Sequence, residues 1–194
     1  MKPLLTLAAG TALLTAACSG PEHRLSDPRA DKAACALYER LFELRDRGVM
    51  LGQQDALAYG HQRYEPGFSD IYDMTGDYPA VVGWEIGHVE LGAPYSLDSV
   101  YFDDIRRGIA ATAARGGIST ISWHGDNILT GGSTWDCSRN DVVRSILPGG
   151  SHHNEYLARL DRVADFLASL KDAQGETIPV VLRLYHEQTR SWFW

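Results

Sequence analysis

Four short apolar runs constrain this 194-residue chain more than any other feature of its sequence. They occupy residues 49–54, 80–87, 118–124 and the stretch that opens at Ile178, each rich in Val, Ile and Leu. Runs this short, bounded by turn residues, read as strands rather than helices. Between them the pattern changes to helical spacing. Strands that alternate with helices in this way build an α/β fold with a parallel sheet. Composition agrees: 44% hydrophobic and 22% charged residues are ordinary for a globular domain.

The helical segments can be taken in chain order. Asp27-Pro28 reads as a helix start, with Asp as the N-cap and Pro in the first turn. Ala34, Leu37, Tyr38, Leu41 and Phe42 then recur on one face, and Gly48 stops the helix. Residues 69–75 form a short helix before the turn Asp77-Tyr78-Pro79. Tyr101, Ile105, Ile109 and Ala113 mark a third helical face, ended by Gly116-Gly117. Residues 126–135 and 146–150 read as a loop and a turn. Tyr156, Leu157, Leu160, Val163, Ala164, Leu167 and Leu170 mark a further amphipathic face.

The last run is the most informative. Ile178-Pro-Val-Val-Leu-Arg-Leu-Tyr is strand-like, and at its end the chain turns polar at His186-Glu187 before Trp192-Phe193-Trp194. A carboxyl group beside aromatic walls at a strand end suits the breaking of a glycosidic bond. Apolar neighbours disfavour the charged carboxylate and let it hold a proton near neutral pH, and flat rings stack on sugar C–H faces. A zinc protease would need a second His three residues after Glu187, and Arg190 stands there, so no metal is expected.

His-Glu followed by a short spacer and Trp-Phe-Trp resembles the acid/base motif of glycoside hydrolase family 26, which is made up mostly of β-mannanases. Gly52-Gln53-Gln54, Gly83-Trp84-Glu85 and Ser122-Trp123-His124 resemble the same family at its earlier strands. Over residues 30–194 the resemblance implies a (β/α)8 TIM barrel, of which about the first four β/α units are present. Catalytic groups in such barrels stand at the C-terminal ends of strands. It further implies Glu187 as the catalytic acid/base, and His124, His186, Trp192 and Trp135 as residues that contact substrate. Cofactors and metals are not required. The implied substrate is β-mannan or galactomannan, with mixed-linkage β-glucan or xylan as alternatives within the family. The alternative of another class is a non-catalytic glycan-binding lipoprotein. The family's nucleophile is a Glu on a later strand, and no carboxylate here aligns with it. A barrel needs about 250 residues and eight strands, so the expectation is the N-terminal half of a longer protein.

Other carboxylates and amides have plainer readings. Glu85 lies within a buried run and is expected to be paired and structural. Gln53 and Gln54 are expected to serve as structural hydrogen-bonding residues. His88 and Glu90 are candidates for the rim of the site.

Residues 1–17 carry Lys2 and an apolar stretch too short to span a membrane, read as a signal peptide. Small residues before Cys18 resemble a bacterial lipoprotein signal. Cys18 would be lipidated, residues 18–29 would form a tether, and the membrane would be a partner through that anchor. The expected place is the bacterial cell envelope, as an outer-membrane lipoprotein or a periplasmic or secreted protein. Cys35 and Cys137 either pair or remain two mostly buried thiols. Net charge is −7 with scattered Lys and Arg, which excludes nucleic acid as a partner.

Overall fold

The structure is a computed structural model and describes residues 25–61, 63, 65–189 and 191–194. The apolar stretch 1–17, Cys18 and the first part of the tether lie outside the described residues. The chain divides into two compact units, Met1–Asp46 and Arg47–Trp194.

Helix α1 (Lys32–Arg45) is the regular element of the first unit. It starts later than the sequence suggests. Asp27 closes a local turn instead, its Oδ1 accepting from the Arg29 amide at 2.8 Å. Asp31 is the N-cap, its Oδ1 accepting from the Ala34 amide at 2.7 Å. Both aspartates can hold an amide two or three residues on, and the second stands immediately before the helix.

The second unit is a four-stranded parallel sheet in the order β1 (Gly52–Gln54), β2 (Val81–Glu85), β3 (Ile118–Trp123) and β4 (Val181–Leu184). Helices lie between the strands: α2 (Asp70–Thr75), α3 (Phe102–Ala114), α4 (Val142–Ile146) and α5 (His153–Ala168). This is a partial (β/α)8 barrel. The first strand is shorter than its apolar run. Val49 and Leu51 stay 89% and 78% exposed, so only the last three residues of the run pair with β2.

Side chains alternate across each strand. Val82, Trp84, Ile121 and Trp123 pack into the helical layer, where Ile105 and Ile109 of α3 and Tyr156, Val163 and Phe166 of α5 meet them. Gly108 of α3 is required there, because a Cβ would lie 2.4 Å from the Trp84 ring. The opposite face carries Gly83, Glu85, Thr120, Ser122 and Arg183, a polar set for the inside of a barrel.

Several helical positions differ from the periodic reading. Tyr101 is the N-cap of α3 and 56% exposed, and Phe102 takes the core position beside it. Leu157 and Ala164 face solvent, while Phe166 is buried edge-on to Phe102 at 5.4 Å. The next hydrophobic in the count simply lies nearer the centre of the buried stripe in each case. Helix α4 forms ahead of the 146–150 turn and buries Val142 and Ser145. Cys137 is exposed and free, in the surface loop after Trp135. It is therefore neither bridged to Cys35 nor a buried thiol.

Candidate functional site

Parallel register brings the strand ends to one edge. Glu85 pairs with Ser122 across β2 and β3, and Trp123 pairs with Leu184 across β3 and β4. The residues that follow, His124 and the segment 185–187, are therefore neighbours. Of the five non-glycine residues at positive φ among the described residues, four follow strand ends: Asp55, His88, Tyr185 and Glu187. Left-handed backbone at such residues is costly and collects where side chains are held for function.

Glu85 is 3% exposed, and all of its lone pairs are spoken for. Its Oε1 accepts from the amides of Gly87 at 2.6 Å and His124 at 3.0 Å. Its Oε2 accepts from Ser122 Oγ at 2.6 Å and meets His124 Nδ1 at 2.7 Å. Burial pushes this carboxyl up, but the hydrogen bonds from His124 and Ser122 and the nearby imidazole outweigh it and hold the group below its ordinary value. An ionised carboxylate only accepts, so His124 Nδ1 carries the hydrogen and Nε2 is left as the second ring atom. The expectation of a paired, structural Glu85 matches this geometry.

From His124 a chain of rings crosses the edge. His186 stands edge-on to it with centroids 4.7 Å apart. Trp135 lies 5.6 Å from the same ring, and Trp192 follows Trp135 at 6.4 Å with the planes 32° apart. The four residues singled out for substrate contact thus gather in one row. Burial, the Arg183 guanidinium and His124 together keep the His186 imidazole below its ordinary value, against the pull of Glu187 and Glu85. Neutral His186 and Glu187 are only loosely joined, with Nε2 and Oε1 3.7 Å apart.

Glu187 departs from the expected setting. Its side chain is 56% exposed, so it does not sit in the closed apolar setting anticipated for it. Its backbone is left-handed, at φ 59°, in the turn beyond the end of β4. Trp194 is an anchor rather than a platform. Its amide donates to Thr134 O at 3.1 Å and its Nε1 to Gly125 O at 2.7 Å, which fastens the Trp192 segment to the loop that carries Trp135.

That loop has a fastener the sequence reading passed over. Asn127 is fully buried, accepts from the amides of Leu129 and Thr130, and donates to Asp136 O at 2.8 Å. An Asn that opens a loop rich in Gly, Ser and Thr is the available signal, since Asx side chains close such turns. Glu90, expected at the rim, is instead fully buried and accepts from Trp123 Nε1 at 3.0 Å and from the Asp126 amide at 3.1 Å. An indole N–H in the core needs an acceptor, and Glu90 provides it. Asp55, just beyond β1, was also passed over. Burial and the Asp98 carboxylate push it up to about 7, against the Tyr59 hydroxyl that donates to it at 3.2 Å. Among the described residues, no group of three or more His, Cys, Asp or Glu side chains is placed to hold a metal ion.

Glu187 beside His186, and the row of His124, Trp135 and Trp192, stand at the carboxyl edge of a parallel sheet. The sequence pattern of glycosyl hydrolase family 26 matches residues 26–194. The chain belongs to that family. A mannan endo-1,4-β-mannosidase of Bifidobacterium adolescentis is 30% identical over an alignment of 193 residues that covers 97% of this chain and 19% of that protein. The solved family 26 β-mannanase of Bacteroides ovatus superposes with a TM-score of 0.82 at 42% identity, over 85% of this chain and 48% of that one. A modular endo-β-1,4-mannanase of Cellulomonas fimi gives 0.74 at 34% identity, over 85% and 38%. The family 26 chain described here thus spans about half or less of the relatives it matches.

Proposed function

We propose that this family 26 chain carries the proton-transferring side of a retaining β-1,4-mannan hydrolase. The observation that supports it best is the placement of Glu187 at the end of the His186–His124–Trp135–Trp192 row. In this reading Glu187 gives its proton to the departing glycosidic oxygen and then takes one from the attacking water. His124, oriented through Nδ1 by ionised Glu85, offers Nε2 to a sugar hydroxyl. Trp135, half exposed, and Trp192 offer ring faces to the pyranose C–H surface. Glu85 does not fit the attacking role, because it is buried and each of its oxygens already accepts two hydrogens. The attacking carboxylate, about 5–5.5 Å from the acid/base in a retaining enzyme, is assigned to no residue of this chain. The mannanase names of the relatives favour mannan over mixed-linkage glucan or xylan.

The decisive experiment replaces Glu187 by Gln in the active protein and compares two substrates. Turnover of mannan, whose leaving group needs a proton, should fall about 10²–10⁴-fold, while the first step on an aryl mannoside with a good leaving group falls far less. Azide, which needs no general base, should partly restore turnover of the aryl substrate. Equal loss on both substrates without rescue removes Glu187 from this role and leaves a glycan-binding reading of the ring row. At the other end of the chain, Cys18 in this reading is the lipidated residue of an envelope protein. Mass spectrometry of protein from a lipoprotein-processing bacterial host should find acyl groups on Cys18, and an unmodified thiol in the membrane-free fraction rejects the anchor.

A further inference from the structure

A second aromatic surface shares no residue with the ring row. A cavity of about 480 Å³ opens on the connection from β1 to β2, lined by Glu65, Phe68, Tyr72, Asp73 and Tyr78 among others. That volume falls within the range that holds a small ligand, about 300–1,000 Å³. Tyr72 and Tyr78 stack with centroids 4.3 Å apart and planes 20° apart. The Arg115 guanidinium lies 3.9 Å from the Tyr78 centroid. Two groups this close to one ring must occupy opposite faces, so the order is Tyr72, Tyr78, Arg115. Tyr78 in turn packs on the hydrophobic core. The face of Tyr72 that stacks on Tyr78 is thereby covered, and the residue as a whole remains 46% exposed. Helix α2 holds the ring in place, with Ser69 capping its start and Gly76 in left-handed conformation ending it.

We infer that the outer face of Tyr72 is a binding platform for a neutral polysaccharide chain, separate from the site at the strand ends. A rigid, half-exposed phenol ring offers the flat apolar surface that a pyranose C–H face needs, with little conformational entropy to lose. The carboxylates of Glu65 and Asp73 beside it accept hydrogens from sugar hydroxyls and repel an anionic ligand. A cation is the less suited occupant. Arg63 already lies over Phe68 at 4.5 Å and 3.8 Å from Glu65, and Arg115 takes the free face of Tyr78. The platform does not depend on the hydrolytic reading, because it requires adsorption and not turnover.

The test is adsorption of the full chain to insoluble mannan, xylan and cellulose in the cold, with Tyr72→Ala, Tyr72→Phe and Trp135→Ala as variants. Tyr72→Ala should adsorb about tenfold more weakly to at least one of the three, as truncation of an aromatic anchor does. Tyr72→Phe should stay within about twofold of the parent, since the ring face and not the hydroxyl makes the contact. Combining Tyr72→Ala with Trp135→Ala should remove more binding than either change alone. Isotherms for Tyr72→Ala that overlay the parent on all three polysaccharides overturn the inference. So does equal loss in Tyr72→Phe, or release of the adsorbed protein by tetramethylammonium, which would mark a cation site. Failure of the Glu187 experiment would leave these isotherms unchanged, so the two readings fall separately.

Discussion

Glu85 and Glu187 bring the same carboxyl group to the same edge of the sheet, two strands apart, and the fold treats them oppositely. Glu85 is sealed between β2 and β3, with both oxygens doubly hydrogen-bonded and its pKa held down. Glu187 is more than half exposed, sits on left-handed backbone, and makes a long contact to His186. A carboxylate whose lone pairs are all used can orient a neighbour but cannot take up a proton without giving up one of the hydrogen bonds it already accepts. A carboxyl that meets solvent or substrate can exchange one freely. Position at a strand end does not separate an organising residue from a reacting one; the hydrogen bonds already made do.

The comparison breaks most visibly under exchange of the two losses. Glu187→Gln should lower turnover of unactivated mannan about 10²–10⁴-fold and, as a surface change, move folding stability by no more than about 0.5 kcal/mol. Glu85→Ala should instead cost about 3–5 kcal/mol of stability, because it strips a buried ionic partner from His124 and orphans Ser122 and two amides. Urea unfolding of both variants beside the parent, with turnover measured on the same samples, settles it. A Glu187→Gln protein as destabilised as Glu85→Ala would mean that the two carboxylates share one structural role.

Those two residues also show how far the sequence could be read. The parallel α/β order was visible because strand runs and helical spacing alternate along the chain. The gathering of His124, His186, Trp135 and Trp192 was visible because each falls at a strand end or in the loop after one. Glu85 was legible as buried and paired, but its partners were not. They depend on the register that sets it opposite Ser122, which no local pattern encodes. Glu90 was misplaced for a similar reason: its partner is an indole on β3, more than thirty residues further along the chain. The open setting of Glu187 was not legible either. An aromatic cluster in sequence suggests an apolar wall, yet Trp194 is spent on Gly125 and Phe193 stands against Tyr185.

A smaller effect tests how the Trp135 side of the site is held. Asn127 is buried and binds three backbone groups of the loop that presents Trp135. Asn127→Ala leaves those groups unpaired and should cost about 1–3 kcal/mol of stability. It should also raise KM for mannan while kcat changes little, because Glu187 is untouched. Trp135→Ala should raise KM in the same way without the loss of stability, since the ring is half exposed. Equal melting curves for both variants would show that Asn127 does not hold the loop.

The smallest expected effect is a difference in pH slope between neighbouring strands. Glu85 has a lowered folded pKa, so its stabilisation is present above its unfolded value and is lost as pH falls through the folded one. Asp55 is raised from 3.8 to about 7 by burial and Asp98, so its contribution has the opposite sign. The folded state holds a proton there that the unfolded chain releases. Stability from this group is full below the unfolded value, declines from about pH 4 upward, and is gone once pH passes about 7. Asn in its place mimics the neutral acid, donates to Asp98 as the protonated form does, and tolerates the left-handed backbone at φ 52°. Asp55→Asn should therefore match the parent near pH 4. At pH 8 it should exceed the parent and melt at a higher Tm. Thermal melts at half-unit steps from pH 4 to 9 would show the two curves parting as pH rises toward 7. Parallel curves across that range would mean that Asp55 is already ionised in the folded protein. Asp55 would then stand with Glu85 as a second carboxylate held charged at the strand ends.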